Sequence, residues 1–245
     1  MMKFIGIIPA RYASTRFPGK PLADICGKPM IWWVYNKVKE SKFLEQVIVA
    51  LDDYRIAEIC DKFNIPYILT KDNHPEHISR IHEVSEKITS EFYVCVNGDE
   101  PLISSKCIDE VLRSVKESDY FVGARRKLLD HAETIDSVTI KVEISENDRC
   151  IYLSRTPIPF PKGTLLFKYY KYVGIECFSK LALDFFVKTR QGVLEKIEDI
   201  DHLRFLENGK VLKFIEVDSE SISVDTYKDL EKVRKIIISN SNEQH

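Results

Sequence analysis

Three stretches, far apart along the chain, carry residue types that could act together on a polyphosphate. The first is Pro9-Ala10-Arg11-Tyr12-Ala13-Ser14-Thr15-Arg16-Phe17-Pro18-Gly19-Lys20-Pro21-Leu22. Arg11, Arg16 and Lys20 supply positive charge, Ser14 and Thr15 supply hydroxyls, and the prolines stiffen the segment. Holding a triphosphate requires converging Arg and Lys side chains together with free backbone N–H groups in a loop. The GxxxxGK[ST] spacing is absent, so this is not a Walker A loop. The same composition also describes a solvated basic turn. The second stretch, Asn97-Gly98-Asp99-Glu100-Pro101, offers a carboxylate that could hold Mg²⁺, an ion that usually takes only one or two protein carboxylates. It reads equally as a turn. In the third, Ser223-Val224-Asp225-Thr226, Asp225 is a second candidate ligand, although Asp225 or Thr226 could simply cap the helix that follows.

What must position these residues is a sheet. Apolar runs at Phe4–Ile8, Val47–Leu51, Tyr67–Leu69 and Phe92–Val96 read as buried strands. Met30–Ser41, Asp53–Phe63 and Ser79–Ile88 carry apolar residues at helical spacing between them. Such alternation implies right-handed βαβ units on a parallel sheet covered on both faces. Ligands of such sheets lie at the carboxyl ends of the strands, where both the basic loop and Asp99 fall. From Phe121 to Cys177 the pattern turns β-rich (Phe121–Arg125, Thr139–Ile144, Ile151–Leu153, Tyr172–Cys177), as in a sheet extension rather than a separate domain. Helices at Leu181–Val187 and Ile197–Glu207, a strand at Val211–Val217 and a helix at Tyr227–Ile238 complete the chain. The expectation is one domain over 1–245 with a β-rich sugar-binding and dimerisation extension around 121–177.

Composition narrows the function classes. A chain of 245 residues that is 44% hydrophobic and 30% charged can bury a sizeable core. Its formal net charge of −2 argues against general nucleic-acid binding, which needs a basic field. Six scattered cysteines with no CxxC pair form neither a disulfide framework nor a zinc motif. The start of the chain does not read as a signal peptide and no run is long enough to span a bilayer, so a cytoplasmic location is expected.

Taken together, Ile7 to Leu22, Gly27-Lys28-Pro29-Met30-Ile31, Gly98-Asp99-Glu100-Pro101-Leu102-Ile103, Ser154-Arg155-Thr156-Pro157-Ile158-Pro159, and Val224-Asp225-Thr226 with Asp229-Leu230-Glu231-Lys232-Val233 resemble the CMP-Kdo synthetase (3-deoxy-manno-octulosonate cytidylyltransferase) family. The resemblance covers nearly the whole chain. It implies an α/β, Rossmann-like nucleotide-binding fold with a mixed, mostly parallel sheet and helices on both faces. It implies a Mg²⁺-dependent homodimer that joins CMP from CTP to an acidic sugar, a 3-deoxy-2-ulosonic acid, and releases pyrophosphate. By the family pattern Pro9, Ala10, Arg11, Ser14, Arg16, Lys20 and Arg80 contact the nucleotide, with Arg16, Lys20 and Asp99 catalytic. Asp99 and Asp225 bind the metal. Asn97, Arg155, Tyr172, Glu176, Glu195 and Lys196 fall on the sugar side.

The departures from that pattern are specific. Asn97 stands where the family usually has Gln, and the family's Ser-Gly-Thr element is replaced in His74-Pro75-Glu76-His77-Ile78-Ser79-Arg80. The His-x-Gly-Ile-Tyr motif becomes Tyr172-Val173-Gly174-Ile175-Glu176 and Leu-Glu-Gln becomes Leu194-Glu195-Lys196. A carboxylate at Glu176 repels an acidic sugar unless Lys196 or another cation compensates, and an amino-substituted ulosonate is one sugar that would give it a partner. Spore-coat or glycan cytidylyltransferases share the opening loop but not the Ser154–Pro159 block. CMP-sialic acid synthetases carry Gly-Gly-Ser-Lys where this chain has Tyr12-Ala13-Ser14-Thr15. A non-catalytic nucleotide-binding relative is the remaining alternative, against which the retention of both Asp99 and Asp225 speaks.

Overall fold

Phe4-Ile5-Gly6-Ile7-Ile8 has no polar side, which suits a strand covered on both faces. In the computed structural model, which describes residues 2–13, 17–164 and 166–242, this run forms the body of β1 (Phe4–Ala10). A two-stranded ribbon, β2 (Asp24–Ile25) and β3 (Lys28–Pro29), follows and leads into α1 (Met30–Lys39). Next come β4 (Leu44–Leu51), α2 (Tyr54–Lys62), β5 (Tyr67–Leu69), α3 (His77–Ser85), β6 (Phe92–Val96) and α4 (Ser105–Ser114). The β-rich stretch supplies β7 (Phe121–Lys127), α5 (His131–Ile135), β8 (Lys141–Ile144), β9 (Cys150–Ser154) and β10 (Tyr170–Ser179). The chain closes with α6 (Lys180–Lys188), α7 (Val193–Glu198), α8 (Leu203–Glu207), β11 (Lys213–Glu216) and α9 (Tyr227–Asn242).

Among the described residues nine strands share one sheet, with the order β11-β7-β10-β6-β1-β4-β5 and with β8 and β9 running off β10. β1 pairs in parallel with β4 and β6, and β4 with β5. β10 runs antiparallel to β6 and β7, and β11 is parallel to β7. The sheet is therefore mixed but mostly parallel in the half that carries the basic loop.

Alternate residues feed two separate cores, as the period of two in a strand requires. Phe4, Ile8, Val49, Val94 and Val96 pack on the face covered by α1, α2, α4 and α9. Ile5, Ile7, Ile48, Tyr93 and Cys95 pack on the opposite face, under α3, α6 and α8. All six cysteines are free thiols, four of them buried.

Three expectations need correction. A helix occupies Ser105–Ser114, where the sequence reading placed none; its buried Cys107, Ile108, Val111 and Leu112 lie on one helical face, separated by charged residues that masked the period. The single helix expected over Ile197–Glu207 is two, because Asp199 adopts a left-handed conformation (φ 53°) that ends α7. The helix expected from Ser79 begins at His77, which brings the His77 ring to the start of a helix facing the sheet edge.

One glycine is demanded by the crossing of two loops. A Cβ on Gly98 would lie 2.5 Å from the Pro9 carbonyl oxygen, a backbone atom that can yield only if the sheet edge opens. Gly98→Ala is therefore expected to cost about 1–3 kcal/mol, lowering the melting temperature by about 2–4 °C per kcal/mol for a chain of this size. A calorimetric melt alongside the wild type measures it.

Candidate active site

The carboxyl ends of β1 and β6 open into a cavity of about 430 Å³. Pro9, Ala10, Arg11, Lys20, Pro21, Asn97, Gly98, Asp99 and Asp225 are among the residues that line it. Ser14 and Arg16 lie outside the described residues. Backbone bonds fix the loop around them: Gly19, at φ 70°, donates its N–H to the Tyr12 carbonyl (3.0 Å), and Lys20 starts a 3₁₀ turn through Leu22. Phe17 is buried against the Tyr227 ring, with centroids 4.3 Å apart, which ties the loop to α9.

Asp99 and Asp225 are 126 positions apart by their numbers, yet the Val224 N–H donates to the Asp99 carbonyl at 2.9 Å. That bond lays the third stretch against the second. Lys20 Nζ then donates to Asp99 Oδ2 at 2.8 Å and to Asp225 Oδ1 at 3.3 Å. Thr226, not Asp225, caps α9: its hydroxyl accepts from the Asp229 N–H, while the Asp229 carboxylate accepts from the Thr226 N–H and hydroxyl. The Asp225 carboxylate is thereby left to face Lys20. The other Asp99 oxygen, Oδ1, is buried without a hydrogen-bond partner among the described residues, an arrangement that is costly for a carboxylate. Beneath it Glu100 is buried; burial first, and the nearby Asp99 charge after it, raise its pKa.

Arg80 lines the cavity, but its guanidinium is engaged elsewhere. It donates to Asp52 Oδ2 (2.8 Å) and Thr70 Oγ1 (2.5 Å), and Asp52 Oδ1 accepts the Tyr12 N–H (3.0 Å). Arg80 therefore braces the basic loop through Asp52 while it lines the cavity.

Tyr172, His77, Asp199, Asp201 and His202 also line the cavity. Glu176 does not: it is fully buried below them. Its Oε2 is 2.8 Å from His77 Nε2 and its Oε1 is 2.5 Å from His202 Nε2, while His77 Nδ1 is 3.3 Å from Asp201 Oδ2. Burial opposes charge on His77, but Glu176 and Asp201 outweigh it and raise the imidazole to about 10. Burial would raise Glu176, yet His77 and His202 hold it well below the usual carboxylate range. The cation that compensates Glu176 is thus His77 and not Lys196, and an amine on the sugar is not needed to partner it.

Besides Glu176, three expected sugar-side residues are not brought to the cavity. Arg155 spends its donors on the carbonyls of Glu198, Asp199 and Ser137. Glu195 is buried in an ion pair with Arg204 (2.5 Å), and Lys196 is exposed on α7. Asn97 and Tyr172 do line it. Asp52, Asp201 and His202 were missed. Asp52 could have been found as the residue ending a buried strand; Asp201 and His202 sit in a turn between two short helices that left no motif.

A family model described as cytidylyltransferase matches residues 5–218. The chain is similar to the 3-deoxy-manno-octulosonate cytidylyltransferase of Fusobacterium nucleatum subsp. nucleatum, 40% identical over 243 residues that span 98% of this chain and 99% of that one. The enzyme of the same name from Escherichia coli is 33% identical over 238 residues, 97% of each chain. Among solved structures, a CMP:2-keto-3-deoxy-manno-octonic acid synthetase complexed with CTP superposes with a TM-score of 0.93 at 32% identity, covering 97% of this chain and 99% of that one.

Arg80→Ala removes the partner of a buried carboxylate, so it is expected to destabilise the fold by about 3–5 kcal/mol, besides any effect on ligand binding. Urea denaturation of the ligand-free protein reads this directly; an unchanged midpoint would show that Arg80 does not brace the loop.

Proposed function

The chain belongs to the 3-deoxy-manno-octulosonate cytidylyltransferase family, and we propose that its cavity binds CTP beside a 3-deoxy-2-ulosonic acid and transfers CMP to the sugar, releasing pyrophosphate. The observation that carries this reading is the meeting of Lys20, Asp99 and Asp225 in a cavity that Tyr172, His77 and His202 also line. The sugar's anomeric oxygen forms a bond to the α-phosphorus as the bond from that phosphorus to the pyrophosphate oxygen breaks, and the hydroxyl proton leaves to solvent. Catalysis of such a step is mainly positioning and charge neutralisation. Arg11 and Lys20 supply positive charge on the phosphate side, where pyrophosphate gains charge as it departs.

Magnesium fits the donor set. Two carboxylates already share one ammonium, and Asp99 Oδ1 is a buried acceptor with no hydrogen-bond donor among the described residues. Hard oxygen donors of this kind suit Mg²⁺. In this proposal Asp99 and Asp225 hold it, and when bound it neutralises phosphate charge and lowers the pKa of a coordinated hydroxyl. Lys20 then turns from the carboxylates to the phosphates. Ser14 and Arg16 belong to the same proposal by resemblance. So does a cytoplasmic homodimer supplying activated sugar for bacterial surface polysaccharide; among the described residues no helix is long and apolar enough to cross a membrane.

With CTP, Mg²⁺ and Kdo the protein is expected to release pyrophosphate. Lys20→Ala, Asp99→Asn and Asp225→Asn should each lower kcat/KM by roughly 100-fold or more, comparable to removal of one oxyanion-stabilising donor, with the circular dichroism of the wild type. Near-normal turnover in any of the three would overturn the site assignment. CTP binding with no turnover across a panel of ulosonic acids would instead mark a nucleotide-binding relative. Chelation of the metal should abolish turnover and added Mg²⁺ restore it.

A further inference from the structure

Three elements bring together donors to which the proposed transfer reaction gives no chemical step, one of them, His77, in the cavity lining. Cys95 lies on β6 and Glu176 on β10, and they are paired directly across the sheet. His77 approaches from the start of α3. A ring nitrogen of His77, the Cys95 thiol sulfur and a Glu176 carboxylate oxygen all lie within 4.8 Å of one another, with Cys95 and Glu176 buried. We propose that His77, Cys95 and Glu176 form a binding site for a transition-metal ion of the zinc class, separate from the pair of aspartates.

The donor chemistry selects the ion. Thiolate, imidazole and carboxylate together suit Zn²⁺ or Co²⁺, whereas Mg²⁺ and Ca²⁺ take oxygen donors. The surroundings are those of metal ligands. A ligating imidazole usually donates its other ring N–H to a carboxylate, and ligating carboxylates are themselves held by donors. Here Asp201 Oδ2 stands 3.3 Å from His77 Nδ1, and His202 Nε2 stands 2.5 Å from Glu176 Oε1. Both Glu176 Oε1 and His202 Nε2 are buried without a well-formed hydrogen bond among the described residues, so the cluster is incompletely satisfied by its own members. Binding displaces the thiol proton of Cys95 and the proton His77 Nε2 directs at Glu176; both pass to solvent, and His77 keeps its Nδ1 proton toward Asp201. The ion ties α3 to β6 and β10. A second cluster, His82, Glu86 and Asp184, lies on the surface and already shares Lys180; it lacks a thiolate and serves as a control.

The test is titration of the purified full-length protein, stripped of metal, with Co²⁺ and no nucleotide. Wild type is expected to develop a thiolate-to-cobalt charge-transfer band that saturates at one Co²⁺ per chain and is displaced by Zn²⁺. Cys95→Ser and His77→Ala should lose the band, while Cys26→Ser and His82→Ala keep it. No band in wild type, or a band that survives Cys95→Ser, overturns the proposal. Should Cys95→Ser fail to fold, X-ray absorption of zinc-loaded wild type decides: a coordination sphere with one sulfur supports the site, and one of nitrogen and oxygen only overturns it. Because neither CTP nor sugar enters these measurements, their failure leaves the transferase reading untouched.

Discussion

Two carboxylates side by side in a half-buried cleft stay ionised together only if a cation sits with them; otherwise one takes up a proton. In this protein the cation is the Lys20 ammonium, and much of the local structure exists to bring it to Asp99 and Asp225. β1 and β6 end side by side because they pair in parallel, so the basic loop and the Asn97–Pro101 turn emerge at one edge. Gly98 allows the turn to press on Pro9. The bond from Val224 to Asp99 recruits the end of the chain to the same spot. In the proposed reaction the oxygens that hold the ammonium are the ones that would hold the metal ion.

Another part of the cavity lining rests on a different electrostatic solution. Two departures from the family pattern, the altered 74–80 segment and Glu176 in place of Tyr, look unrelated in sequence. In the fold they are one change, because His77 from the first meets Glu176 from the second. His202 adds a further partner from a third element. A buried ion pair of this kind contributes little net stability, but breaking it by removing one member is costly.

Much of the fold could be read from the chain because strands buried on both faces write themselves as unbroken apolar runs. β1, β4 and β6 fall where those runs lie, whereas β5, expected to be buried, is a half-exposed edge strand. Helices on the surface were harder: α4 interleaves its apolar face with charge, and the break at Asp199 depends on a single left-handed residue. At the site, Lys20, Asp99 and Asp225 were legible because each follows or precedes an element that fixes its place. Arg80 was legible as a cavity residue, but its bonds to Asp52 and Thr70, across 28 and 10 positions, were not. Arg155 and Glu195 misled for the same reason: the backbone carbonyls and the arginine that engage them are tertiary partners that no spacing announces.

The central claim is that one cation position lies between Asp99 and Asp225 beside a nucleotide triphosphate. Anomalous diffraction from a crystal grown with Mn²⁺ and CTP tests it most directly. The account predicts a manganese peak bonded to both carboxylates, with Lys20 Nζ turned onto a phosphate oxygen. A peak that touches neither aspartate, with Lys20 still bridging them, would contradict it.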